Sequence, residues 1–242
     1  MIKFFRKIRQ QLISENKFSK YLIYAIGEIV LVVIGILIAL QINNWNIDGK
    51  NSRLEQSILI DIDLEISSNI ERLKIAIEKH EQSLEAAQGF IELFDDPYKL
   101  SNVSDSTVTE LLFTMDYNHT YDPTRGILES IISSGQINLL KNKELKYLLA
   151  SVDDLTKDVN ESTIVIETQR PLLLYPSLNK AWIVENGKIV GYSRKRLLDD
   201  PQFRQAIYIL YYGARGQGIE EEKQLLETMN YIKSIINQVK EK

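Results

Sequence analysis

The sequence predicts a mainly α-helical protein, in which an N-terminal transmembrane helix continues into a long-helix bundle carrying one small β-hairpin. Three observations carry this: an apolar run within residues 21–45, two long stretches whose apolar residues recur at steps of three and four, and an Asn-Gly pair between two β-prone runs near 182–192. They divide the chain into a basic amphipathic cytosolic segment, 1–20, a membrane helix, 21–45, and a helical extracytoplasmic domain, 46–242.

The span comes first because it constrains everything else. Ile29 to Leu40 is an unbroken run of twelve apolar or glycine residues, and extension to Ile26 and Ile42 adds only Glu28 and Gln41 as interruptions. About 17 positions is near the lower limit for crossing the hydrocarbon core as a helix. A cleaved signal peptide is the competing reading, but the run begins late and no small-x-small cleavage site follows it, so the sequence reads as an uncleaved signal anchor. Residues 1–20 carry a net charge of +5 and residues 44–242 a net −8. The positive-inside rule then puts the N-terminus in the cytosol and the large domain across the membrane.

Before the span, Ile2, Phe5, Ile8 and Leu12 alternate with basic residues as in a short helix lying on an anionic membrane surface, or as in a disordered basic stub that only orients insertion. Within the span, Glu28, Gly35 and Ala39 share one helical face, and Gly35-x-x-x-Ala39 is a small-x-x-x-small pair that admits a second helix. Glu28 reads either as part of that association face or as an interfacial anchor near the cytosolic boundary. Trp45 marks the far interface.

The membrane helix is expected to continue as a stalk. Ile60 to Ile66 alternates strictly between apolar and acidic residues, a strand signature, but Ile66, Ile70, Leu73, Ile77, His80, Leu84, Ala87, Ile91 and Phe94 then step by four and three. One long helix ending before Asp95-Asp96-Pro97 fits best. His80 at a seam position reads as a structural histidine; the only other histidine is His119 and there is no Glu-x-x-His pair for a bundle metal site.

Residues 95–106 form a loop, Thr107-x-x-Glu110 opens a short helix to about Met115, and Asp122-Pro123 starts another that ends at Ser134-Gly135. Asn142 caps a second long helix, whose seam from Leu145 to Leu173 matches the first in length and predicts an antiparallel partner, with Pro171 and Pro176 at its broken end. The hairpin at 182–192 needs support, so Trp182 or Tyr192 packs on the bundle, unless the hairpin presents an aromatic binding surface. Asp200-Pro201 caps a helix to Tyr212 with Phe203, Ile207, Leu210 and Tyr211 on its apolar face and a tyrosine patch at 208, 211 and 212. Gly213 to Gly218 reads as a flexible interhelical loop, and Leu225, Met229, Ile232, Ile236 and Val239 define the last helix.

The N-terminal run Met1-Ile-Lys-Phe-Phe-Arg-Lys-Ile-Arg-Gln, the span from Tyr24 to Trp45 and the segment Ser133-Ser-Gly-Gln-Ile-Asn-Leu-Leu-Lys-Asn-Lys-Glu-Leu145 together resemble a family of uncharacterised single-span membrane proteins common in Bacteroidota. The resemblance implies a Gram-negative inner membrane, a helical periplasmic domain and a helix through Ile58 to Ile66. It brings no activity and no catalytic residues.

Function is narrowed mainly by exclusion. With no cysteine, the chain has no disulfide, thiol nucleophile, haem-attachment or cysteine-zinc chemistry. The acidic large domain does not suggest nucleic acid, and no motif implies a cofactor or metal. An enzyme would need a site assembled from scattered carboxylates, tyrosines and serines around a histidine. The expected role is a membrane-anchored interaction, sensory or scaffold module that self-associates or binds a protein partner, with an accessory subunit of a transporter or envelope complex as the alternative. Candidate contact residues are Glu28, Gly35 and Ala39 in the membrane and a recognition loop of Ser134, Gly135, Gln136 and Asn138.

Overall fold

The computed structural model describes residues 18–240, so the amphipathic pattern expected for 1–20 lies outside the described residues apart from the start of the first helix. The chain divides into two compact units, with the boundary between Gln56 and Ser57. Helix α1 (Phe18–Asp95) passes through that boundary. In the first unit the large apolar side chains of α1 from Leu22 to Ile42 are 44–69% exposed.

The second unit is built on three long helices: the part of α1 after Gln56, α5 (Lys143–Leu173) and α9 (Arg215–Lys240). Shorter elements connect them. After α1 come α2 (Pro97–Asn102), α3 (Asp105–Met115), α4 (Gly126–Ser133) and a 3-10 turn at Gln136–Leu139. After α5 come α6 (Tyr175–Ala181), strands β1 (Trp182–Glu185) and β2 (Lys188–Tyr192), α7 (Arg194–Leu198), α8 (Pro201–Ala206) and a π-helical stretch, Ile207–Ala214, that runs into α9.

The alternating run at 60–66 is helical because each acidic residue that turns inward finds a partner. Asp63 accepts from Lys240 Nζ at 2.8 Å, and both carboxylate oxygens of Glu65 accept backbone N–H groups at the start of α4. The seam on α1 follows the expected residues down to His80. Beyond it, Ala87 is buried as expected, but Ser83, Ala86, Phe90 and Leu93 are buried as well, while the expected Leu84, Ile91 and Phe94 are half-buried. A straight helix drifts against a seven-residue repeat, and here the drift changes which residues face the core.

Two apolar clusters fill the bundle. The first joins Ile58–Ile77 of α1 to Leu128, Ile131, Leu140, residues 145–159 of α5 and residues 225–236 of α9. The second joins residues 86–93 of α1 to Val108, Met115, Ile166, Leu174 and the Leu197–Tyr211 segment; within it Phe90 meets Phe203 edge-on at 5.3 Å.

This distribution corrects the expected pairing. Both α1 and α5 run from the first cluster to the second, so they are parallel, and α9 is the antiparallel partner of both. The reason is the connection between them. Segment 96–142 carries Val108 and Met115 in the second cluster and Leu128 to Leu140 in the first, so it returns the chain along the bundle before α5 starts.

Four local expectations also change. The expected loop at 95–106 contains α2, whose N-cap Asp96 accepts from Tyr98 N and Lys99 N. The N-cap of α3 is Ser104, whose Oγ accepts from Thr107 N at 3.0 Å, three residues before the expected Thr107 start. Residues 122–125 are not helical; α4 begins at Gly126 with no side-chain cap of its own, because Glu65 of α1 fills that role. Gly213 to Gly218 is helix, not loop. Gly218 sits where α9 crosses α5, and a Cβ there would lie 2.0 Å from Ser162 Oγ, so glycine serves close approach rather than a turn. Of the tyrosine patch, Tyr211 is buried, whereas Tyr208 and Tyr212 are exposed.

Other features follow the sequence closely. Gly135 ends α4 with φ 74°, Asn142 Oδ1 accepts from Leu145 N at 3.0 Å, and Asp200 Oδ1 from Gln202 N at 3.0 Å. The hairpin turns through Asn186 (φ 48°) and Gly187 (φ 74°), the paired left-handed residues that match strand twist. Its strands pair Trp182 with Tyr192 and Glu185 with Lys188, with a bulge between Ile183 and Val184. Tyr192 makes the contact with the bundle, its hydroxyl lying 2.9 Å from Thr109 Oγ1 and 3.0 Å from the Asp105 carbonyl oxygen; Trp182 stays exposed.

Candidate functional site

A buried polar layer separates the two apolar clusters. On α1 it consists of His80 and Ser83, on α5 of Ser162 and Thr163, and on α9 of Arg215 and Glu222, all buried. Each long helix contributes because its seam carries polar residues at the same level. Arg215 and Glu222 are seven residues apart, two turns along one face. Segment 116–121 passes alongside on its return and adds Asn118 and His119.

Histidine 80 is at the centre. Its Nδ1 lies 2.6 Å from Glu222 Oε1 and its Nε2 lies 2.7 Å from the carbonyl oxygen of His119. A carbonyl only accepts, so Nε2 carries a proton, and a second proton lies between Nδ1 and Oε1. The pair is therefore either imidazolium–carboxylate or imidazole–carboxylic acid. Both side chains are 1% exposed, which closes this pair to a substrate in the present arrangement.

Arg215 extends the network. Its Nη1 donates to Thr163 Oγ1 at 3.3 Å and its Nη2 to Asn118 Oδ1, while Asn118 Nδ2 donates to the Thr163 carbonyl at 3.4 Å. Burial pulls the guanidinium pKa down to about 10, with Glu222 opposing the shift, so Arg215 remains charged at neutral pH. Ser83 Oγ donates to the Met115 carbonyl at 2.5 Å. Ser162 Oγ, Arg215 Nε and Glu222 Oε2 are buried without a hydrogen-bond partner among the described residues. Such groups make the layer expensive, which weakens any reading of it as a simple stabiliser.

The second histidine completes the group. The rings of His119 and His80 meet edge-on with centroids 6.4 Å apart, and His119 stacks on Tyr117 at 6.2 Å. Burial lowers the His119 pKa, as do His80, Lys79 and Arg215, against the attraction of Glu222. A satellite node lies next to the layer. Asp116 accepts from the Tyr211 hydroxyl and from Arg170 Nη1, the latter at 3.2 Å. Burial raises the Tyr211 pKa, reinforced by Asp116.

The sequence signals for this layer were partial. His80 and Ser162 stood at seam positions, but Arg215 was hidden in the supposed glycine loop. Extending the final seam back from Leu225 by steps of three and four reaches Glu222, Gly218 and Arg215, and that signal is readable once the glycines are taken as helical. Nothing in the spacing of Asn118 and His119 announces their place. Among the described residues, no group of three or more histidine or carboxylate side chains is arranged to hold a metal ion.

The residues singled out from sequence lie elsewhere. Glu28 is half-buried and Gly35 and Ala39 are exposed on α1 in the first unit. Ser134, Gly135, Gln136 and Asn138 are exposed, away from the polar layer. Asn138 N donates to the Gly135 carbonyl at 3.1 Å, Lys146 Nζ donates to the Asn138 carbonyl at 3.3 Å, and the neighbouring Ile137 and Leu139 are tucked against the first cluster.

In comparison with known proteins, a model described as "Family of unknown function (DUF6090)" matches residues 28–158. No curated protein and no solved structure matches.

Proposed function

Because the chain belongs to this family of unknown function, its role has to be read from its own residues, and we propose that it is a single-span, membrane-anchored helical interaction module with a sensory or scaffold role. The observation that carries the reading is the exposed apolar surface of α1 from Leu22 to Ile42. A water-facing surface of that extent and composition is untenable, and lipid is the solvent that suits it. The charge asymmetry supports an inner-membrane orientation, with the N-terminus in the cytosol and the helical domain in the periplasm.

Interaction is favoured over catalysis by where the unusual polar groups sit. The His80–Glu222 pair and Arg215 link three helices in the interior, an arrangement suited to fixing or switching helix packing. Partners are a second copy of the chain or another protein, met in the membrane through the Glu28, Gly35 and Ala39 face and outside it through the loop of Ser134, Gly135, Gln136 and Asn138. The reading as an accessory subunit of a transporter or envelope complex uses the same surfaces and differs only in the partner.

Crosslinking in intact membranes, followed by co-purification in mild detergent and mass spectrometry, tests the proposal. The expected result is a crosslinked homo-oligomer or one reproducible partner, weakened by Gly35→Leu with Ala39→Leu. A monomer with no partner would overturn it. A reporter fused to the C-terminus tests orientation and is expected to be active only in the periplasm.

A further inference from the structure

The end of α3 and the segment after it leave two large aromatic side chains in water. Phe113 is 74% exposed and Tyr117 53% exposed, and with Lys79, Gln82 and Thr114 they line a recess of about 320 Å3. That is the lower end of the roughly 300–1,000 Å3 typical of small-ligand sites. Aromatic faces held open beside a concavity are suited to stacking on a planar group.

Among the described residues, Lys79 is the one charged side chain lining the recess. Lys79 Nζ donates to a neutral partner, the amide oxygen of Gln82, at 3.2 Å, and Gln82 Nε2 in turn donates to Glu78 at 3.2 Å. The next carboxylate on α1, Glu81, is paired with Lys223 at 2.8 Å. Behind Tyr117, His119 stacks with the ring planes 19° apart.

We propose that this recess binds a small planar aromatic carboxylate, its ring stacked on Tyr117 and Phe113 and its carboxylate paired with Lys79. The Thr114 hydroxyl and the Gln82 amide offer further hydrogen bonds. Both halves of the ligand are needed. A neutral ring leaves the Lys79 charge unmatched, and an aliphatic acid leaves the aromatic faces in water. Through Tyr117 the site adjoins His119, whose carbonyl oxygen holds His80, so occupancy is felt at the buried layer.

The test is a titration of 4-fluorobenzoate into the full chain in lipid nanodiscs, followed by fluorine NMR with empty nanodiscs as blank. Saturable line broadening is expected, with the His119 ring resonances shifting in step. Binding should weaken at least ten-fold for 4-fluorobenzamide, for 4-fluorocyclohexanecarboxylate, and in Lys79→Gln and Tyr117→Ala. Phe113→Ala, at the most exposed of the three side chains, provides a variant that leaves the bundle core untouched. Unsaturable broadening, equal binding of the benzamide, or unchanged affinity in all three variants overturns the site. The readout involves neither topology nor a protein partner, so its failure and that of the proposed function are separately visible.

Discussion

His80 on α1 and Glu222 on α9, 142 residues apart in sequence, share one hydrogen-bonded proton at 2.6 Å in the interior of the bundle. Removing one partner strands the other, together with Arg215, without water. Glu222→Ala is expected to destabilise the domain by about 3–5 kcal/mol. Replacing His80, Glu222 and Arg215 together by Leu, Leu and Met should recover most of that loss, because packed apolar groups of similar volume often match or exceed a buried ion pair. Denaturant unfolding of the detergent-solubilised chain measures both. If the triple variant is stable yet loses its partner or oligomer, the layer serves specificity; if it unfolds, the layer is a stabilising element after all.

His119 gives the fold a predictable acid sensitivity. Its folded pKa lies below the unfolded value of 6.5, so between the two the unfolded chain binds more protons than the folded one. Stability therefore falls as pH drops through 6.5 toward the depressed value, and this contribution is flat above about 7. His119→Gln should flatten the dependence of the denaturation midpoint on pH between about 5 and 7. An identical slope in the variant would assign the sensitivity to other groups.

Gly218 should tolerate no side chain. Alanine is the better helix former by roughly 1 kcal/mol, but its Cβ would lie 2.0 Å from Ser162 Oγ and 2.6 Å from Ser162 Cβ. Gly218→Ala is expected to cost about 1–3 kcal/mol through overpacking. Ser162→Gly in the same chain removes both contacts and should restore part of the loss. Thermal unfolding of the single and double variants checks this, and a stabilised Gly218→Ala would show that α5 and α9 do not cross there.

Most of the scaffold was legible in the sequence because it depends on local chemistry. The seams of Ile66 to Ile77, Leu145 to Val159 and Leu225 to Ile236, the Asn142 and Asp200 caps and the Asn186-Gly187 turn are each decided within a few residues. What the sequence concealed depends on distant partners. Glycine at 213, 216 and 218 resembles a loop until Ser162 explains why α9 needs a bare backbone at Gly218. Asp122-Pro123 looks like a helix start until Glu65, more than fifty residues earlier, supplies the cap at Gly126. The parallel course of α1 and α5 depends on how segment 96–142 returns, which no periodicity encodes. The candidate site was least legible, since two isolated histidines become neighbours only when three helices and a connecting segment meet.

Glu65 acts as a cap delivered from another helix. Its carboxylate accepts from Ile127 N at 2.8 Å and Leu128 N at 3.0 Å, and its side chain is buried. Glu65→Ala should cost about 1–2 kcal/mol, in the range of a lost N-cap, and Glu65→Gln less, since one acceptor remains. Amide exchange should accelerate at residues 127 and 128 before it does on α5 or α9. Uniform acceleration across the bundle would instead indicate a general loss of packing.

The loop after α4 separates structure from recognition at single residues. Gly135 adopts φ 74°, a conformation that costs other residues roughly 1–2 kcal/mol. Gly135→Ala should therefore lower the unfolding midpoint. Gln136 and Asn138 expose their side chains while the Asn138 backbone makes the turn's hydrogen bonds. Replacing either by alanine should alter stability by no more than about 0.5 kcal/mol. That near-neutrality makes them clean probes. Loss of a co-purifying partner in Gln136→Ala or Asn138→Ala, at unchanged stability, would mark the loop as a contact surface, whereas full retention in both would leave it the structural link that Ile137 and Leu139 anchor to the core.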